Sequence, residues 1–214
     1  MNLLIMGAPG AGKGSVSRKI VDYYHVVHIS TGDVLRAAIK EGTPIGKIAQ
    51  EYINQGALVP DEIIHDIIVE KLKSDDVKNG FIFDGYPRNL AQAKDFESIL
   101  EEVNLKIDHV ISMEIDEDEL IKRITGRRNC PKCGAIFNIY AAPSKVEGVC
   151  DNCGEKLIQR KDDTLEALQT RLVEYHTNTE PVIEYYKNAG IVHSIDAGLT
   201  RDEVFAQVKS ALGE

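Results

Sequence analysis

Short apolar runs alternate with amphipathic stretches along most of the chain, and the alternation predicts strands and helices in turn. Residues 3–6 read as a short buried strand, followed by a glycine-rich turn and a helical pattern through residues 20–24. Residues 25–29 read as a second strand, after which Ser30, Thr31, Gly32 and Asp33 supply helix-start chemistry. Helices are predicted over 33–40, 44–54 and 61–73, a third buried strand over 81–84, and a helix opened by Asn89 and running to about Glu102. A fourth strand spans 109–115. The acidic run 116–119 opens a helix to about Thr125, its carboxylates suiting the positive end of the helix dipole. Regular pattern resumes over 164–187, where Pro181 is expected to kink or break the helix, and ends with a strand over 191–195 and a helix over 202–212.

Strands alternating with helices imply an α/β fold, a parallel sheet covered on both faces. Between 127 and 163 the helical period is lost, and all four cysteines of the chain fall there. The stretch reads as an insertion, because it is neither a linker nor a repeat. A chain of 214 residues suits one substantial domain with room for such a small inserted one. The net charge of −9 argues against non-specific nucleic-acid binding, which needs clustered Lys and Arg, but leaves room for a local cationic pocket that takes a small anion. No apolar run approaches the roughly 20 residues of a membrane helix. The first residues lack the basic region of a signal peptide, so a cytoplasmic location and no membrane partner are expected.

Gly7-Ala8-Pro9-Gly10-Ala11-Gly12-Lys13-Gly14-Ser15 lies between a predicted strand and a predicted helix, the context a phosphate-binding loop requires. Glycines let backbone N–H groups converge on phosphate oxygens, and the helix N-terminus adds a favourable partial charge. Lys13 would reach the outer phosphates. The general pattern places Ser or Thr directly after the lysine, whereas here Gly14 intervenes before Ser15.

Cys130 and Cys133 are followed, sixteen residues on, by Cys150 and Cys153, the spacing of a two-knuckle zinc site. Four thiolates leave no open position, so the metal would be structural; a redox dithiol is the alternative, and spacing alone does not separate zinc from iron. With about two further negative charges from a four-thiolate zinc, the segment is near neutral and has no basic stripe. A nucleic-acid ribbon is therefore disfavoured.

Together with Thr31-Gly32-Asp33 and Asp84-Gly85-Tyr86-Pro87-Arg88, the glycine-rich loop resembles adenylate kinase, specifically the bacterial type with a long, zinc-binding lid. The Gly-Lys-Gly order is that family's own form, with Ser15 where Thr is usual. The resemblance runs over nearly the whole chain. It implies a P-loop nucleoside monophosphate kinase fold with a five-stranded parallel sheet, and reversible transfer of the terminal phosphoryl group of ATP to AMP, with Mg²⁺, giving two ADP and maintaining adenine nucleotide balance. It further implies a core of residues 1–29, 60–125 and 164–214, an AMP-binding flap at 30–59, a lid at 126–163, and a monomer.

Residue by residue, the resemblance puts Gly10, Ala11, Gly12, Lys13, Gly14, Ser15, Arg127, Ile136, Phe137 and Leu199 on ATP, and Asp84 on Mg²⁺ through water. Thr31, Arg36, Ala57, Leu58, Val59, Gly85, Tyr86, Pro87, Arg88, Gln92, Arg160 and Arg171 stand where the family binds AMP. Lys13, Arg88, Arg123, Arg127, Arg160 and Arg171 stand around the transferring phosphoryl group, and the four cysteines hold the zinc. The chemistry suits these residue types. The nucleophile is a phosphate already ionised at neutral pH, so no general base is needed, and planar, permanently charged arginines matter more than histidines. His28, though beside the expected site, is read as structural. Two other readings stay open: the same fold with another nucleoside monophosphate as acceptor, and a nucleotide-controlled switch or zinc-ribbon binding module.

Overall fold

The structure, a computed structural model, describes residues 1–54, 59, 65, 68–69 and 71–214, without the side chains of 33–34, 37–38, 45, 53–54 and 76. The predicted helix over 61–73 falls largely outside the described residues, as do Ala57 and Leu58.

Five strands form one parallel sheet: β1 (Asn2–Gly7), β2 (Val27–Ser30), β3 (Phe81–Asp84), β4 (His109–Glu114) and β7 (Val192–Asp196), in the order β2-β3-β1-β4-β7. The central position of β1 follows from its sequence. Leu3, Leu4, Ile5 and Met6 are all buried, so both faces of the strand are covered, and a continuous apolar run is what a strand inside a parallel sheet requires. Phe81, Ile82 and Phe83 give β3 the same character, and Phe83 meets Phe96 edge-on with ring centroids 4.9 Å apart.

The helices whose bounds lie among the described residues are α1 (Lys13–Tyr24), α2 (Thr31–Glu41), α3 (Pro44–Asn54), α4 (Leu90–Glu102), α5 (Glu117–Thr125), α6 (Leu165–Glu174), α7 (Glu180–Asn188) and α8 (Arg201–Ala211). Their starts are written locally. The Asn89 side chain accepts from the Gln92 amide, Thr164 accepts from Ala167, and Thr200 with Glu203 forms a reciprocal capping box that opens α8. One apolar layer packs α4 and α7 on the sheet through Phe96, Leu100, Val182 and Tyr186; the other packs α1 and α8 through Val16, Ile20, Val204 and Val208.

Two expectations need correction. The second strand begins at Val27, not at residue 25, because His25 takes a left-handed conformation (φ 56°) and its N–H closes α1 on the Val21 carbonyl. The helix expected over 164–187 is also interrupted, but the break precedes Pro181. Tyr175–Thr179 forms a π-helical turn, and Pro181 then sits in the first turn of α7, where a missing N–H is tolerated.

Between α5 and α6 the chain leaves the main sheet. Here β5 (Arg127–Asn129) and β6 (Ile136–Asn138) pair antiparallel as a sheet of their own, with isolated bridges joining Asn129 to Ile158 and Val149 to Lys156. The interior of this insertion is small: Cys130, Ala135, Cys150 and Leu157, with Phe137 and Cys153 packed against them. Among the described residues, no helix is long and apolar enough to cross a membrane.

Candidate functional site

The site is built at the carboxyl ends of β1, β3 and β4, the edge at which open α/β sheets bind ligands. β1 ends at Gly7, whose φ is 140° and where a Cβ would lie 2.6 Å from the Met113 carbonyl oxygen. Only glycine lets the chain leave the sheet at this point. Gly12, at φ 97°, then turns the loop into α1. Lys13, the first residue of that helix, folds back so that Nζ donates to the carbonyls of Gly7 (2.6 Å) and Ala8 (3.1 Å). Burial brings the Lys13 pKa down to about 8; Asp84 opposes the shift, while Arg171, Arg88 and Arg127 add to it.

In front of the loop lies a cleft of about 1400 Å³, above the roughly 300–1,000 Å³ of a single small-molecule site. Its walls bring together most of the residues singled out in the sequence: Gly10 to Ser15 at the base; Arg36, Asp84, Gly85, Tyr86, Pro87 and Arg88 on one side; Arg123, Arg127, Ile136, Phe137, Arg160, Arg171 and Leu199 around the remainder. Thr31, Val59 and Gln92 do not line it. Val59 is packed in the core with Leu35 and Ala49. Thr31 and Gln92 are buried behind the wall, where the Thr31 hydroxyl donates to the Gly85 carbonyl and Gln92 Oε1 accepts from the Arg88 amide at 2.7 Å.

Arg88 is held from several directions. Its Nε donates to the Gly85 carbonyl at 2.7 Å, and its own carbonyl accepts from the Thr179 hydroxyl at 2.9 Å. Burial, then Arg171 and Arg36, lower its pKa to about 10 against the opposing charge of Asp84. Arg160 is likewise lowered to about 10 by burial, then by Arg36 and Arg127. Arg171 is shifted down by burial as well. These cations therefore crowd one another in a partly desolvated space, an arrangement whose electrostatic cost a polyanion would relieve.

Two neighbours were not picked out by sequence reasoning. Asp163, fully buried as a side chain, pairs with Arg127, and Asp162 lies 3.3 Å from Arg171. In the sequence they are only two adjacent acids at the end of a loop; their arginine partners lie 36 and 9 residues away. His28, read as structural, stands with Nε2 3.6 Å from Asp84 Oδ2. Asp84 offers a hard carboxylate oxygen beside the phosphate loop, the donor type that suits Mg²⁺.

The four cysteine sulfurs lie within 4.8 Å of one another. Cys130 and Cys153 are 3.4 Å apart and Cys133 and Cys150 3.6 Å, too far for disulfides. With Zn–S bonds of about 2.3 Å, the edge of a tetrahedral site is about 3.8 Å, so the cluster fits such an ion. The two knuckles repeat each other. Cys130 N–H donates to the Ala135 carbonyl and Gly134 N–H to that of Cys130; Cys150 N–H donates to Glu155 and Gly154 N–H to Cys150. Desolvation disfavours the Cys130 thiolate, but the amides of Cys133 and Lys132 outweigh it and bring its pKa down to about 6.

A five-stranded parallel sheet flanked by helices, a glycine-rich phosphate loop and an inserted four-cysteine ribbon together define a P-loop nucleoside monophosphate kinase fold. The adenylate kinase family model matches residues 5–191. The chain is 46% identical over 212 residues to an adenylate kinase from Thermodesulfovibrio yellowstonii, with 99% of each chain covered. It is 45% identical over 214 residues to one from Agathobacter rectalis, with both chains fully covered, and 47% identical over 213 residues to one from a Geobacillus species, covering 100% of this chain and 99% of the relative. The chain belongs to the adenylate kinase family.

Proposed function

We propose that this enzyme transfers the terminal phosphoryl group of ATP to AMP by in-line displacement, giving two ADP, and that the cationic cleft is where transfer occurs. The observation that carries the reading is the convergence of Lys13, Arg88, Arg160 and Arg171 on one cleft with their pKa values depressed by burial and mutual repulsion. Transfer between phosphates spreads negative charge over the equatorial oxygens of the moving group, and preorganised cations stabilise it without reorganisation.

The donor nucleotide lies along the loop, Gly10 to Ser15, with Lys13 exchanging the carbonyls of Gly7 and Ala8 for phosphate oxygens. Ile136, Phe137 and Leu199 give its base and sugar an apolar surface, and Arg123 and Arg127 border it. AMP lies on the opposite wall, its phosphate taken by Arg36, Arg88 and Arg171. Gly85, Tyr86 and Pro87 shape that wall, and Thr31, Val59 and Gln92 act from behind it, Gln92 by fixing the Arg88 backbone. Asp162 and Asp163 keep Arg171 and Arg127 aimed at the cleft.

Asp84 would hold Mg²⁺, by way of water, beside the phosphate loop, and the ion would neutralise charge on the donor phosphates. Cys130, Cys133, Cys150 and Cys153 would hold Zn²⁺, which would give rigidity to a lid, residues 126–163, whose apolar interior is small. Lid closure excludes water from the cleft, which protects the phosphoryl group from hydrolysis. Residues 30–59 form the AMP-binding flap, and 1–29, 60–125 and 164–214 the core. A cytoplasmic monomer without nucleic-acid or membrane partners suits the acidic surface charge.

A coupled assay with AMP, GMP, CMP and UMP as acceptors tests the reading. AMP is expected to be preferred by a wide margin in kcat/KM. Equal rates with another monophosphate would overturn the choice of acceptor, and no transfer to any would overturn the reaction.

A further inference from the structure

We propose that Asn138 is a positioning residue for the donor nucleotide: its side-chain amide ties the lid strand β6 to the end of α5 and thereby sets where Arg123 stands. The inference rests on the donor-side reading of Arg123 given above.

Helix geometry leaves the last carbonyls of α5 without intrahelical partners. Asn138, the last residue of β6, supplies one: Nδ2 donates to the Arg123 carbonyl at 2.9 Å. The Oδ1 of the same amide accepts from the backbone N–H groups of Tyr140 (2.9 Å) and Ala141 (3.1 Å), which turns the chain sharply after the strand. One side chain thus joins the helix that carries Arg123 to the strand that carries Ile136 and Phe137.

The surroundings are shaped for this contact. At Gly126, which follows α5, a Cβ would lie 2.6 Å from the Tyr140 ring and 2.8 Å from Asn138 Oδ1. A side chain there would force the ring and the amide away from the helix end. The Gly126 carbonyl in turn accepts from the Ile139 N–H at 2.9 Å. At its other end, Arg123 donates through Nη2 to the Ala197 carbonyl at 2.7 Å, next to Leu199, and makes a longer contact of 3.4 Å with Ala11 of the phosphate loop. Arg123 is therefore gripped through its backbone by the lid and through its guanidinium by the core. A displacement of the lid strand is passed to it directly.

The test uses the full-length, metal-loaded enzyme with Asn138→Asp and Asn138→Ala. Asn138→Asp keeps the acceptor for Tyr140 and Ala141 but removes the donor and sets a negative charge against the negative end of α5. Asn138→Ala removes both links. Loss of one or two net hydrogen bonds should raise KM for ATP by about three- to tenfold in both variants and lower kcat by no more than the same factor, through the displaced Arg123, with KM for AMP within about twofold. Metal content and the rate of cysteine labelling, which report lid integrity, should stay as in the parent. An unchanged KM for ATP in both variants overturns the proposal. So does a change shared equally by both substrates and accompanied by metal loss, which would mark Asn138 as a purely structural cap. Arg123→Ala is measured in parallel. If it too leaves KM for ATP unchanged, the donor-side reading of Arg123 fails; if it raises KM while the Asn138 variants do not, only the positioning role fails.

Discussion

The two walls of the cleft are made by opposite means. The phosphate loop hangs from β1, a strand buried on both faces, and its shape is fixed by backbone constraints at Gly7 and Gly12. The ribbon facing it has a handful of buried residues, two of them cysteines, and is shaped by short knuckles that aim four sulfurs at one point. A large apolar core gives the first wall a position that does not depend on ligand. The second wall has little to bury, and the metal proposed for its four sulfurs would stand in place of a core. A binding site that must admit two nucleotides and then exclude water needs one wall of each kind.

The largest effect expected from this contrast is on the side built on the sheet, where β1 leads to Lys13 and β3 to Arg88. Lys13→Ala or Arg88→Ala should cut turnover by about two to three orders of magnitude, since each removes a cation that the proposed mechanism sets against the reacting phosphates. Melting should hold or rise, because neither side chain belongs to the apolar core and removing either relieves the cost of a buried cation; near-normal rates would remove that residue from the mechanism. Next comes the core that carries the loop. Phe96→Ala should cost roughly 3–5 kcal/mol by leaving a cavity beneath Phe83 and Tyr86, measured by denaturant unfolding as one cooperative loss.

The ribbon should behave otherwise. Chelation or Cys130→Ser should produce a separate melting transition at lower temperature in calorimetry, while turnover in the cold falls by less than the stability does. Rapid loss of turnover by a still-folded, metal-free protein would show that the thiolate site does more than hold the wall together.

The smallest effect concerns the charge of Lys13 itself. With its pKa lowered to about 8 by burial, the lysine is partly neutral just above that pH, and phosphate beside it restores the proton. ATP binding should therefore take up a fraction of a proton between about pH 8 and 10, and none below about pH 7. Calorimetry in buffers of different ionisation enthalpy measures this, and Lys13→Met should abolish it. The sign for stability follows the same logic. An unfolded lysine holds its proton more tightly than the folded one, so burial of Lys13 costs stability below about pH 8, and the cost fades as pH climbs toward 10.5.

What the sequence could convey tracks the range over which each feature is encoded. Continuous apolar runs located β1, β3 and β4, and Asn89 announced the start of α4, because pattern and capping are local properties. The spacing of the cysteines was legible for the same reason: each knuckle is a few residues long. His25 was misread as strand because its left-handed turn depends on how α1 meets β2, and nothing in its side chain reports that. The partners of Arg127 and Arg171 were invisible as partners, since an ion pair across the base of an insertion is set by the fold. Thr31 and Gln92 were named for the site, yet their place behind the wall could be learned only from burial.

The π-helical turn at Tyr175–Thr179 has a consequence for how this chain can vary in length. Leu168 in α6 and Val182 in α7 are both fully buried, on either side of the turn, and the wider turn sets the rotation that lets both face inward. The π turn already absorbs one residue more than ordinary winding holds, so a further residue inserted between them as ordinary helix would swing everything downstream by about 100°. Val182 and Tyr186 would face solvent, and Thr179 would lose its hold on the Arg88 carbonyl. The stretch from 169 to 181 should therefore accept changes of residue type at its exposed positions, though not at Arg171 or Thr179, and no added residue.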